Sequence, residues 1–176
     1  FGGDLFHTHG KVDVDVLNIT SGALKRLAAE TRIFMIPGNH DHADKHGYVH
    51  SLETLSKNYG AKSIQDTKHM TVAGTALTIP LHLDVMLHCC PYRDNRLELI
   101  DDLSHLAKLA NEQPPGHLSI LLAHAGMQGA RVGSDYVMLK DSDLEVGDVD
   151  FGAFDICLFG HFHEHQRIFN NGWYIG

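Results

Sequence analysis

The chain has 176 residues, 43% of them hydrophobic, and a formal charge of −8 from 22 acidic and 14 basic side chains. That size and apolar content fit one globular domain and exclude a wholly disordered chain. The acidic balance is not the footprint of a protein that holds DNA by phosphate neutralisation. No apolar run approaches the roughly 20 residues that a membrane span needs, and three cysteines without Cys-x-x-Cys spacing argue against a disulfide framework or a thiolate zinc site.

In chain order, residues 1–3 read as the end of a strand that begins upstream. The chain starts with Phe1 rather than Met, so the expectation is one domain over residues 1–176, a piece truncated at both ends. Residues 14–30 have Val14, Leu17, Leu24, Leu27 and Ala28 at helical spacing, which predicts a helix with one apolar face. Residues 31–36 predict a strand, followed by the turn signal Pro37-Gly38. Residues 50–59 predict a second helix with Leu52 and Leu55 inward and Gly60 as its stop. From 61 to 87 the pattern turns to short β-like runs, "KSIQ", "HMTVAG" and "TALTIPL", with a hairpin expected across Gly74. Residues 97–110 predict a strong helix on Leu99, Leu103, Leu106 and Leu109, broken by "EQPPGH". Residues 118–122, "FDICLFG" and "WYIG" predict further strands, the last cut off at the C-terminus.

Histidine is the compositional outlier, at 15 residues. It is a common transition-metal ligand and the usual proton carrier near neutral pH. Four times an apolar strand runs into a loop of metal-type residues: "FGGDLFHTHG", "IFMIPGNHDH", "ILLAHAG" and "CLFGHFHEH". One such loop reads equally well as a polar turn, with Asn39 and Asp41 as turn or capping residues. Four of them, each beside a sheet strand, predict convergence of Asp4, Asn39, His124, His161 and His163 on one rim. Asp4 is the natural bridge between two cations. Neutral imidazoles and an amide oxygen suit Mn, Fe or Zn better than Ca or Mg. Two such ions roughly 3.5–4 Å apart clamp a phosphoryl group and generate hydroxide near neutral pH. Gly3, Gly38 and Gly160 are expected to let the backbone turn sharply beside the cluster.

"GGD", "GNHD", "AHAG" and "GHFH", in this order, resemble the motifs of the calcineurin-like metallophosphoesterase superfamily, over residues 2–163. Within it, "GGDLFH" followed by a helix, "CCPYRD" and "GHFHEHQ" resemble the SbcD-type nuclease subunit of DNA double-strand-break repair complexes. The resemblance implies an α/β fold of two mixed β-sheets packed face to face with flanking helices. It implies a metal-dependent phosphodiester hydrolase, a DNA exonuclease or endonuclease acting through a hydroxide activated by two divalent transition-metal ions, with Mn first and Fe or Zn as alternatives. Asp4 would bridge the ions; Asn39, His124 and His161 would complete one site and His163 would serve the other. His40 would be the catalytic histidine, and Asp41 would orient it. The implied partners are DNA, an SbcC-type coiled-coil ATPase and a second copy of the chain, with the helix at 14–30 as a candidate partner face and no membrane. The implied location is cytoplasmic. The family opens with an Asp-x-His motif on its first strand, and nothing upstream of Asp4 supplies it here. The expectation is a chain lacking that first strand, with one metal site incomplete.

The other histidines divide. The "GDLFH" resemblance places His7 near the nucleic-acid end or the leaving nucleotide, while His9 reads as a solvated loop residue. His42, His46 and His50 are spaced by four and are expected to form a solvated helix face. His82 and His88 are expected to be structural. Tyr92 and Arg93 are candidates for phosphate contact, against a structural pair of Arg93 with Asp94. The rival functions are a phosphatase or phosphodiesterase for small molecules or proteins, and a non-catalytic interaction module on the same fold.

Overall fold

The computed structural model describes residues 1–7, 11–44, 49–55, 69–132, 136–137 and 143–176. Helix α1 runs Val14–Glu30 and ends where Thr31 turns extended, its N–H still reaching Leu27 O. Leu24 and Ala28 are buried and Leu17 half-buried, against Phe6, Ile33, Met35, Leu52, Leu55 and Met70. Val14 and Leu27, expected on this face, are 69% and 42% exposed. At 3.6 residues per turn they lie roughly 60–80° to either side of the line through 17, 24 and 28, just off the packed stripe.

Strand β1 (Ile33–Met35) pairs in parallel with β2 (Met70–Val72). The chain then crosses to a second sheet, built from β3 (Leu77–His82), β4 (Val85–Cys90), β5 (Leu118–His124), β8 (Ile156–Gly160), β9 (Gln166–Phe169) and β10 (Gly172–Tyr174). Its spatial order is β3-β4-β5-β8-β10-β9. β4, β5, β8 and β10 are mutually parallel, and β3 and β9 run antiparallel at the edges. A short antiparallel ribbon joins β6 (Arg131–Val132) to β7 (Tyr136–Val137).

The hairpin expected across Gly74 is not formed. β2 pairs with β1, β3 pairs with β4, and the hairpin turn falls at Leu83-Asp84 instead. Parallel pairing is non-local and leaves no turn signal in the sequence. Gly74 sits at the crossover, where a Cβ would stand 2.7 Å from His50 Nε2. Leu52 and Leu55 are buried as expected. The remainder of the predicted 50–59 helix, and the run "KSIQ", lie outside the described residues.

Period-2 alternation sorts the central strands between two faces. Leu87, Cys89 and Leu122, with Leu158, face Ile36, Phe34 and Ala73 and form the layer between the sheets. Cys90, Leu121, Ala123, Cys157 and Phe159 point the other way, towards helix α2 (Arg96–Asn111). That helix starts at Asn95, whose side chain accepts from Leu97 N at 2.9 Å, an N-cap worth about 1 kcal/mol. It buries Leu99, Leu103, Leu106, Ala107 and Ala110; each fully buried leucine contributes about 1.5–3 kcal/mol. The architecture is therefore mixed α/β, with two sheets face to face and helices outside. Among the described residues no helix is long and apolar enough to cross a membrane.

Candidate metal centre

Parallel strands end at a common rim, and here that rim is crowded. β4 runs into Pro91-Tyr92, β5 ends on His124, and β8 ends on Gly160 with His161 next. Opposite them, β1 runs into Pro37-Gly38-Asn39, and Tyr92 N donates to Pro37 O across the gap at 3.0 Å. The N-terminal segment is a further rung beside β1. Phe1 donates its amino group to Phe34 O at 2.8 Å and accepts from Ile36 N at 3.2 Å, which delivers Gly2, Gly3 and Asp4 to the same place.

Four side-chain atoms meet there. His124 Nε2 is 3.3 Å from Asp4 Oδ2 and 3.1 Å from Asn39 Oδ1, and His161 Nδ1 is 3.1 Å from the same Asn39 oxygen. Ligand atoms of Asp4, His124 and His161 all lie within 4.8 Å of one another. With ion–ligand bonds of about 2.0–2.2 Å, neighbouring ligand atoms stand about 3.0–3.5 Å apart, the spacing seen. The proton count agrees. His124 Nδ1 is 2.6 Å from Gly2 O, and a carbonyl only accepts, so the ring proton is on Nδ1 and Nε2 presents its lone pair. A metal-binding imidazole is usually anchored this way through its other nitrogen. That lone pair faces two oxygens; a proton could serve one contact, whereas a cation serves all four atoms. The residues present therefore fit a divalent transition-metal ion.

Electrostatics and backbone point the same way. Burial opposes ionisation of Asp4, but the His124 ring beside Oδ2 and the backbone N–H of His40 at Oδ1 outweigh it and hold the carboxyl below its ordinary value. Asp4 (φ 56°) and His161 (φ 109°) are the non-glycine residues at positive φ among those described. Such conformations cost about 1–3 kcal/mol each and persist where the surroundings enforce them. The glycines beside the cluster do not all act as expected. Only Gly3 of the three has positive φ, at 99°. Gly38 and Gly160 are needed for space instead. A Cβ on Gly38 would stand 2.2 Å from Asp4 Oδ1 and 2.6 Å from His124 Cε1, and one on Gly160 would stand 1.9 Å from Gly2 O.

The remaining candidates surround this group. Asp41 is fully buried; its carboxylate accepts from Phe6 N at 3.1 Å and Gly38 N at 2.9 Å, clamping the two ligand loops together. His40 Nδ1 instead donates to His7 O at 3.2 Å, and the two rings stack at 4.7 Å and 16°. His163 is exposed and lines a cavity of about 160 Å³ with Asp4, His124 and His161, outside the tight ligand group.

Arg93 Nε binds Asp102 Oδ2 at 2.8 Å, so its structural partner is Asp102 rather than Asp94. Asp94 Oδ1 instead accepts from Tyr92 Oη at 3.3 Å. His42 is buried, and it faces His50 across an isolated antiparallel bridge, which corrects the expected solvated stripe; His46 and His9 lie outside the described residues. His88 is fully buried with Nδ1 2.9 Å from Thr78 Oγ1. His82, expected to be structural, is on the surface beside Asp84.

Two parts of the site escape sequence reasoning. The Gly2 carbonyl that fixes His124 is backbone, and "GG" signals close approach without naming the partner. The Tyr92 ring packs on both ligand imidazoles, and only its place after a strand hints at that.

A family model described as calcineurin-like phosphoesterase matches residues 1–165 of the chain. No curated protein matches it.

Proposed function

The chain belongs to the calcineurin-like phosphoesterase family, and from that premise we propose that it is a phosphodiester hydrolase of the SbcD nuclease type, with DNA as substrate. The observation that carries the hydrolase reading is the convergence of Asp4 Oδ2, Asn39 Oδ1, His124 Nε2 and His161 Nδ1. In this proposal these atoms would hold one divalent ion, and Asp4 and His163 would contribute to a second site on the cavity side. Mn is the first candidate for this donor set, with Fe or Zn as alternatives. Ions bound there supply Lewis-acid charge to the phosphoryl oxygens.

The protein's own part is positioning and proton handling. Asp41 fixes the Asp4 and Asn39 loops in one geometry. His40, anchored through Nδ1 on the His7 carbonyl, would as the imidazolium present its Nε2 proton to the leaving oxygen and balance charge in the transition state. His7, exposed and stacked on His40, is placed to meet the leaving nucleotide. No nucleophilic Ser or Cys is required, because phosphoryl transfer depends on positioning more than on covalent help.

The DNA assignment rests on the "GGDLFH", "CCPYRD" and "GHFHEHQ" resemblance. The chain's −8 charge cannot supply the counterion-releasing contacts of duplex binding. We assign those to a coiled-coil ATPase partner of SbcC type, with the protein working as a homodimer. Val16 and Ile19, exposed on α1, suit that helix to a partner face. The same acidic charge favours the second reading, hydrolysis of a small phosphodiester.

The test is hydrolysis with Mn²⁺ of linear duplex DNA, single-stranded DNA and bis(p-nitrophenyl) phosphate, by the protein and by a His40→Asn variant. Cleavage of DNA that His40→Asn abolishes supports the proposal. Cleavage of the small diester alone would move the assignment to the second reading. Cleavage of none by the full-length protein would overturn the hydrolase reading.

A further inference from the structure

At the metal centre the Tyr92 ring lies 6.5 Å from the His161 ring at an interplanar angle of 21° and meets the His124 ring edge-on at 6.1 Å and 83°. Behind Tyr92 sits His42, only 7% exposed, with its ring 5.7 Å away. The result is a column of rings, His42 then Tyr92 then the two ligand imidazoles. Its base is stitched to the Asn39 loop by Tyr92 N donating to Pro37 O at 3.0 Å.

We propose that Tyr92, backed by His42, is a positioning residue that sets the ring orientations of His161 and His124, and thereby the affinity and coordination geometry of the ion they hold. This rests on the metal centre of the proposed function and gives Tyr92 and His42 a role behind its ligands. The two imidazoles differ in what steadies them. His124 is fixed by the Gly2 carbonyl and by the glycines around it. His161 stands at φ 109°, off the chain's ordinary conformations, and rotation about its ring bond would swing Nδ1 away from Asn39 Oδ1. A near-parallel aromatic ring stacked against it resists that rotation. The hydroxyl is not the working part, since it donates outward to Asp94 Oδ1 at 3.3 Å.

The experiment compares the wild-type protein with Tyr92→Phe, Tyr92→Leu and His42→Ala. Mn²⁺ affinity is measured by calorimetry, coordination by the visible absorption of the Co²⁺-loaded protein, and folding by metal-free melting curves. Tyr92→Leu is expected to weaken Mn²⁺ binding about 10–100-fold, the usual cost of losing support behind a metal ligand, and to alter the Co²⁺ band. Tyr92→Phe keeps the ring and is expected to restore both. His42→Ala, which loosens the column from behind, shows a smaller loss in the same direction. A folded Tyr92→Leu protein with wild-type affinity and spectrum overturns the proposal, and so does a Tyr92→Phe loss equal to that of Leu, which would assign the effect to the hydroxyl. If Tyr92→Leu does not fold, unchanged affinity in folded His42→Ala overturns it. Absence of Mn²⁺ or Co²⁺ binding by the wild type would instead overturn the metal centre itself, a distinct failure.

Discussion

At the rim where β4, β5 and β8 begin stand His82, Asp84, His117 and Asp155; at the rim where the same strands end stand His124, His161, Asp4 and Asn39. The residue types are nearly the same, but their partners are not. At the first rim the groups pair off separately and do not share a point. His82 Nδ1 meets Asp84 Oδ1 at 2.8 Å with side chains 71% and 62% exposed, His117 Nδ1 donates to Pro114 O at 3.0 Å, and Asp155 accepts from Ser119 N at 2.7 Å. At the second rim, four separated segments send atoms to one point and share them. A second sheet faces the strand ends there and supplies Asn39, while the N-terminal rung supplies Asp4. Gly3, Gly38 and Gly160 remove the side chains that would keep these segments apart. Histidine content therefore does not make a site. Convergence does, and convergence is bought with glycine.

The sharpest break in this comparison is His124→Ala. It removes a shared ligand and is expected to abolish tight Mn²⁺ binding and lower phosphodiester hydrolysis at least about 10³-fold, since metal charge stabilisation is worth several kcal/mol; calorimetry and initial rates check it. His40→Asn is expected to cost about 10²–10³ in rate with Mn²⁺ affinity retained. Metal lost along with rate would make His40 a ligand. Gly38→Ala tests crowding without touching a ligand: the new methyl meets Asp4 Oδ1 and His124 Cε1, overpacking costs about 1–3 kcal/mol, and both melting temperature and Mn²⁺ affinity should fall.

A smaller effect comes from between the rims. Burial holds His88 below its ordinary pKa of 6.5, so the unfolded chain binds a proton that the native state refuses. Stability is then full above pH 6.5 and declines as pH falls below it. His88→Gln should flatten that part of the metal-free melting profile; an unchanged slope would contradict it. The least effect belongs to His82→Ala, at the first rim, which should leave melting and hydrolysis unchanged.

Much of the frame was legible from local pattern. Both long helices fall where periodicity predicts, α1 over Val14–Glu30 and α2 over Arg96–Asn111, because a 3.6-residue apolar repeat is a local signal. Asp4, Asn39, His124 and His161 could be grouped because each follows an apolar strand. Relations between distant segments were not legible. The β1–β2 pairing joins residues 33–35 to 70–72, far apart in the chain, so nothing local to Gly74 distinguishes a crossover from a hairpin. His42 and His50 look like a helical stripe by spacing, yet they face each other across a bridge. The roles of Gly38 and Gly160 depend on what lies 2–3 Å away, which no single segment encodes.

The central claim is that the second rim, and not the first, holds the ions. Crystals grown with MnCl₂ and measured for anomalous scattering test it directly. The account predicts a manganese peak within about 2.0–2.3 Å of Asp4 Oδ2, Asn39 Oδ1, His124 Nε2 and His161 Nδ1. A fully occupied peak at His82 and Asp84, or none at the four converging atoms, would contradict it.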